Sequence, residues 1–162
     1  MQRPDPVIVT EVPTGTQPTT ALRTATERLL RELSDEQRPQ PANLDALLTD
    51  PAARLVVAVV AANERPANWA VQDDRTFIGM LTLTFRNSLT RKSAFIDHVV
   101  VDARHRRRGI ATTMLQHAVD LARAAGATRV DLTSSSARRA AAHLYPSRGF
   151  QQRDTVHWRR WL

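Results

Sequence analysis

The sequence predicts an α/β (α+β) fold: a mixed, mostly antiparallel central sheet with helices on both faces. Three observations predict it. Segments of strand and helix periodicity follow one another in the order β-α-α-β-β-β-α-β-α-β-β. Two of the middle strands are separated only by the short turn Asn87 to Arg91, which makes them antiparallel neighbours. The third is the stretch Ile96 to Ala125, where an apolar strand enters an arginine-dense turn that opens a helix. A strand beyond that helix returns parallel to the first, as a right-handed crossover.

Each element has its own warrant. Val7 to Val12 is a short apolar strand among the prolines of residues 1–20. Thr19 or Thr20 caps a helix from Ala21 to Leu33, whose Ala25, Leu29, Leu30 and Leu33 share one side. Ser34 to Pro41 is rich in breakers. Asn43 caps a short helix holding Leu44, Leu47 and Leu48, and Pro51 ends it. Arg54 to Ala62 is a near-continuous apolar run, the pattern of a strand buried on both faces. Asn63 to Thr76 is a long polar connection carrying Trp69, which either lies over a substrate site or packs the loop onto the sheet. Phe77 to Arg86 alternates as a strand, and Lys92 to Val101 follows it.

From Gly109 on, Ile110, Met114, Ala118, Leu121 and Ala125 recur at helical spacing, and Gly126 marks the stop. Arg129 to Thr133 is a short strand. Ser134, Ser135 and Ser136 lead into a last helix, Ala137 to Tyr145. Phe150 to Arg153 and Val156 to Leu162 read as a closing pair of strands.

Composition narrows the function. A chain of 162 residues, 42% of them hydrophobic, has room for a core and reads as a single domain, 1–162. Without cysteine it has no disulfide, no thiolate nucleophile and no zinc–thiolate site. No pair of histidines and carboxylates has metal-ligand spacing, so no metal is expected. The opening MQRPDPVIVTEV lacks a signal-peptide pattern and no apolar run reaches membrane length; the expectation is a cytoplasmic protein with no membrane partner. The net charge is +7, almost all of it arginine, since Lys92 is the only lysine. Arginine and alanine richness fits a GC-rich genome as well as an anionic partner such as coenzyme A, nucleic acid or an acidic surface.

The turn Asp102 to Arg108 builds an anion site. The first turn of a helix leaves N–H groups without acceptors and carries a partial positive charge. Arg104, Arg106, Arg107 and Arg108 add full charges, and Gly109 lets a ligand approach the backbone. The competing reading is a solvated strand–helix turn.

Arg106-Arg107-Arg108-Gly109-Ile110-Ala111 resembles the (Gln/Arg)-x-x-Gly-x-(Gly/Ala) loop of the GNAT superfamily, the acyl-CoA-dependent N-acetyltransferases. Leu144-Tyr145, followed by Gly149-Phe150, resembles the later (Leu/Phe)-Tyr-x-x-x-Gly-Phe motif of the same family. An apolar strand directly before the loop completes the pattern. The resemblance is strong from about Phe77 to Arg153 and holds only in outline over the N-terminal third.

The resemblance implies an acetyl-CoA-dependent N-acetyltransferase, with acetyl-CoA as co-substrate and an amine acceptor. The strands before and after the loop–helix unit would splay, and the pantetheine arm would pair with backbone at Val99, Val100 and Val101. The N–H of Val99 is the candidate to polarise the thioester carbonyl. Pyrophosphate would sit on N–H groups from Arg107 through Ala111, beside Arg106, Arg108, Gly109 and Ile110. Tyr145, the chain's only tyrosine, matches the family's general acid; its alternative role is packing against Phe150.

Three positions depart from the family pattern. Arg138 stands where asparagine is frequent, although its charge can reach phosphate. Pro146 disfavours helical geometry at Tyr145. Arg148 replaces a common apolar residue.

Asp97 is the first candidate base and His98 the second. Regular alternation puts Asp97 and Val99 on one face and His98 on the other. A salt bridge with arginine is the competing role for Asp97. His117, near the apolar side of its helix, is expected to be a hydrogen-bonded core histidine. The helices before Pro51 would form the acceptor wall. A rival class is a nucleic-acid-binding module using the arginine loop, disfavoured by the 5% aromatic content; another is a CoA-binding protein of this fold without catalysis. Trp158 and Trp161 either close a homodimer or cover the chain's own core.

Overall fold

The sheet has five strands in the order β1-β2-β3-β4-β5. In the computed structural model, which describes residues 6–33, 40–60, 76–135 and 138–162, these are β1 (Val7–Val12), β2 (Ala53–Val60), β3 (Phe77–Asn87), β4 (Lys92–Val101) and β5 (Val130–Leu132). The first three pairings are antiparallel. The last, β4 with β5, is parallel, because the crossover helix between them carries the chain back to the same end. The helices are α1 (Thr20–Leu33), α2 (Pro41–Thr49), α3 (Ile110–Ala124) and α4 (Arg139–Ser147).

Two apolar clusters lie on opposite faces of this sheet. On one, α3 places Ile110, Met114, Leu115 and Ala118 against Val56, Ile78, Leu81, Leu83 and Ile96, with Leu144 and Tyr145 of α4 beside them. On the other, Leu22, Ala25 and Leu29 of α1 and Leu48 of α2 cover Leu55, Val57, Val59, Phe77 and Met80. β2 shows why its apolar run is unbroken. Its even-numbered Val56 and Ala58 serve one cluster and its odd-numbered Leu55, Val57 and Val59 the other, all at most 2% exposed. Each of these valines and leucines contributes about 1.5–3 kcal/mol when fully buried.

The helix ends follow local rules. In α3, Ala127 N–H reaches Ala122 O (3.0 Å) and Gly126 N–H reaches Arg123 O (2.9 Å), with Gly126 at φ +80°. α4 ends the same way: Phe150 N–H donates to Tyr145 O (3.1 Å) and Gly149 N–H to Pro146 O (3.0 Å), with Gly149 at φ +83°. Both are Schellman motifs.

Three expectations are corrected. Tyr145 remains helical although Pro146 follows it, because α4 runs on to Ser147 and the terminal bonds close around the proline. Phe150 to Leu162 forms no strands, and from Gln151 on every residue is exposed. A strand needs an edge to pair with, and β5 offers only three residues of ladder; the run Arg159-Arg160 also interrupts the apolar alternation. His117 Nε2 is buried with no hydrogen-bond partner among the described residues, where a hydrogen-bonded core histidine is expected. The readings of Trp69, of most of the Ser34 to Pro41 segment, and of Ser136 and Ala137 as the start of α4 fall on residues outside those described.

Candidate functional site

The site forms where β4 parts from β5. Their pairing runs Ala94↔Val130, Phe95↔Asp131, Ile96↔Leu132 and stops there. From Asp97 to Val101, β4 is paired with β3 alone. Within this free-edged stretch the ladder to β3 is broken. Asp97 faces Thr82 and Val100 faces Met80, so His98 and Val99 together oppose Leu81. This is a β-bulge, and His98 takes the left-handed φ of +55°.

The bulge overturns simple alternation. Val99 packs with the α3 cluster, as do Ile96 and Val101. Asp97 lies opposite Thr82, between Leu81 and Leu83, which face the α3 cluster; Thr82 therefore faces the α1–α2 side, and Asp97 with it. His98 turns to that side too, its Nδ1 3.0 Å from Thr82 Oγ1. Asp97 and His98 thus share a face, and Val99 is opposite. Sequence alternation cannot reveal a bulge, so neither this pairing nor Thr82 was legible.

The basic loop follows β4 at once. Asp102 caps a single 3-10 turn, Ala103–His105. Arg107 (φ +61°) and Gly109 (φ +76°) are both left-handed, and Gly109 is the N-cap of α3. Gly109 O accepts from Thr113 N–H at 3.0 Å, which leaves the N–H groups of Gly109, Ile110, Ala111 and Thr112 without a helical acceptor. Arg107, Arg108 and Gly109 are exposed. The expected anion-binding N–H groups and two of the arginines are therefore together at one exposed helix start.

The other arginines serve the loop itself. Arg106 donates through Nε to Val101 O (2.9 Å) and through Nη2 to Glu32 (3.0 Å). Glu32 also accepts from Ala103 N–H (2.8 Å). Arg104 holds Asp102 with Nε (3.1 Å) and Nη2 (2.9 Å). Asp102 is 1% exposed and also takes Arg28 Nη1 at 2.5 Å, while Arg28 Nη2 reaches Phe77 O at 2.6 Å. The Arg104 hydrogen bonds, opposed by burial and aided by the Arg28 charge, hold the Asp102 carboxyl far below the usual carboxylate range. Arg104 is correspondingly shifted up by Asp102. Arg28, Glu32 and Asp102 were missed in the sequence; the partners are 71 to 74 residues apart and carry no local signal.

On the α3 side, Tyr145 lies in α4 against the same cluster as Val99. Its ring meets Phe150 edge-on, centroids 6.0 Å apart at 66°. That contact joins the two positions a Schellman motif brings together, so the spacing Tyr-x-x-x-Gly-Phe has a structural cause. Burial pushes the Tyr145 hydroxyl pKa up, and the positive charge of Arg138 opposes this in part. Arg138 precedes α4 and donates through Nη2 to Leu33 O at the end of α1 (2.9 Å). Among the described residues, no group of three or more His, Cys, Asp or Glu is arranged to hold a metal.

The fold has known counterparts. The Acetyltransferase (GNAT) family matches residues 26–150. No curated protein matches the chain by sequence. Among solved structures, an aminoglycoside acetyltransferase, meta-AAC0020, from an uncultured soil metagenomic sample superposes with a TM-score of 0.73 at 16% identity, covering 96% of each chain. Glucosamine-6-phosphate N-acetyltransferase of Arabidopsis thaliana gives 0.70 at 13% identity, covering 97% of this chain and 99% of its own. An acetyltransferase of Trypanosoma brucei gives 0.69 at 17%, covering 96% and 100%. At these identities the structures share the fold. The family match spans more than half of the sequence, from α1 through the loop to Phe150, and the chain belongs to the GNAT acetyltransferase family.

Proposed function

We propose that the protein moves the acetyl group of acetyl-CoA directly to a primary amine, with no covalent enzyme intermediate. The observation that carries this is the parting of β4 from β5 after Ile96–Leu132, with a bulge at the free edge that leads straight into the arginine loop. The pantetheine arm lies along Val99, Val100 and Val101, and the Val99 N–H polarises the thioester carbonyl. Pyrophosphate rests on the N–H groups at the start of α3, paired by Arg107 and Arg108. Arg106, tied to Glu32 and Val101, shapes that loop from behind. Arg138 stands at the head of α4, within reach of phosphate if it releases Leu33.

The amine attacks from the α1–α2 side, where Asp97 and His98 lie. An ammonium group loses two protons in becoming an amide. One leaves before attack, to the base and then to solvent. The other leaves the tetrahedral intermediate as the C–S bond breaks, and the departing thiolate receives a proton from Tyr145, which solvent restores. A tyrosine whose pKa is raised by burial keeps its proton at neutral pH, as a general acid must. The same reading has the protein working in the cytoplasm as one domain, without a metal, as a monomer or homodimer.

Calorimetric titration with acetyl-CoA at moderate salt tests the reading. Micromolar binding that free CoA competes is expected. Gly109→Glu abolishes it, because the new carboxylate faces the phosphates and its Cβ sits at a φ of +76°. If folded protein does not bind, the arginine loop holds a different anion. Nucleic acid then leads, recognised by an affinity that falls steeply with salt. The acceptor follows from an amine panel of sisomicin, glucosamine 6-phosphate, spermidine and a short peptide.

A further inference from the structure

We propose that Thr82 is a positioning residue: it fixes the His98 ring with Nδ1 protonated, so that Nε2 takes the proton of the incoming amine. This rests on the acetyl-transfer reading above.

The bulge is what turns His98 toward Thr82. In a regular strand His98 would fall on the same face as Ile96, beneath α3. Instead two residues oppose Leu81, Val99 fills the α3 side, and His98 joins Thr82 on the other. A φ of +55° at a non-glycine residue is strained and persists where neighbours over-determine it. The neighbours here are specific. Thr82 sits between Leu81 and Leu83, both fully buried, and its own backbone is in the β3–β4 ladder. A β-branched side chain on such a strand has little freedom at χ1. Its hydroxyl is therefore a fixed point 3.0 Å from Nδ1.

A neutral imidazole has one N–H and one lone pair, and the partner of one nitrogen decides the state of the other. A threonine hydroxyl can donate or accept; in the proposed state it accepts from Nδ1–H, which leaves the lone pair on Nε2. His98 lies just past the last β4–β5 pair, at the edge of the gap assigned to the thioester. Tyr145 packs on the opposite face of the sheet. The proton thus leaves the amine on one side of the thioester and reaches sulfur from the other. Asp97, opposite Thr82, is the charged group beside the ring and orients the ammonium without supplying the lone pair.

The test needs one readout that does not depend on activity. Long-range ¹H–¹⁵N spectra of histidine-labelled protein, with His98 assigned through His98→Gln, report which ring nitrogen is protonated. We expect Nδ1–H in the wild type and loss of that preference in Thr82→Val. With the amine panel named above, Thr82→Val lowers kcat roughly ten- to a hundred-fold, within the contribution of a general base. Its acetyl-CoA affinity is unchanged, and Thr82→Ser restores kcat. An Nε2–H tautomer in the wild type, or a Thr82→Val protein with wild-type kcat, overturns the proposal. A wild type that binds acetyl-CoA but acetylates none of the panel overturns it as well. Failure to bind acetyl-CoA at all removes the underlying reaction, and is told apart because the titration reads it before any variant is made.

Discussion

Tyr145 carries two tasks on one side chain, and they separate cleanly. The ring belongs to the end of α4, meeting Phe150 across the Schellman turn. The hydroxyl is the proposed general acid. Tyr145→Phe keeps the first and removes the second. It should fold with unchanged thermal stability and bind acetyl-CoA within twofold of wild type, while kcat falls roughly ten- to a hundred-fold. Equal turnover would reduce Tyr145 to its packing role. Because burial raises its pKa, the phenol keeps its proton to higher pH than an ordinary tyrosine, so the alkaline limb of kcat should not reflect its loss below pH about 10. The motif around Tyr145 was readable in the sequence for a physical reason: a Schellman turn is local, and its spacing is written in consecutive residues.

The loop between β4 and α3 behaves as an element anchored from a distance. Asp102 is buried and is gripped by Arg104 within the loop and by Arg28 from α1. Glu32, one turn further along α1, holds Ala103 and Arg106. α1 thus sets the position of the arginine loop. Breaking a buried pair costs more than forming it contributes, since the remaining charge is left uncompensated. Both arginines keep some access to solvent, so Asp102→Asn should destabilise the fold by about 1.5–3 kcal/mol at pH 7, the worth of a hydrogen bond to a charged group. The pH dependence has a definite sign. The folded-state pKa of Asp102 is depressed, so its contribution is present above the unfolded value and is lost as pH falls through the folded one. In urea melts the gap between wild type and Asp102→Asn should begin to narrow at pH 3 relative to pH 7 and go on narrowing at lower pH; a constant difference would refute the assignment. None of this anchoring was legible, because α1 and the loop meet only through the fold. The bulge was equally hidden. Alternation counted along β4 puts Asp97 with Val99, and only pairing against β3 shows His98 and Val99 sharing one partner.

At the scale of the molecule, one sheet separates two apolar clusters, and the proposed site sits where that sheet is incomplete. The pattern of strands and helices was legible through α4 because burial imposes it. β2, buried on both faces, must be apolar throughout, while α1 and α3 show one apolar stripe each. The chain after Phe150 has no such constraint, and the strands its sequence promised do not form. Val156 is 75% exposed, Trp158 87% and Trp161 82%, with Arg159 resting 5.2 Å from the Trp161 ring. Residues that bury so little contribute little to the hydrophobic term. Ending the chain after Gln152, which keeps Phe150 against Tyr145, should shift Tm by no more than about 2 °C. Acetyl-CoA affinity should be unchanged, since every removed residue is exposed and none belongs to the loop or to β4. A fall of about 8 °C would correspond to roughly 2–4 kcal/mol, and would mean that the tryptophans are covered in solution. A fall that grows as the protein is diluted would locate that cover on a second copy.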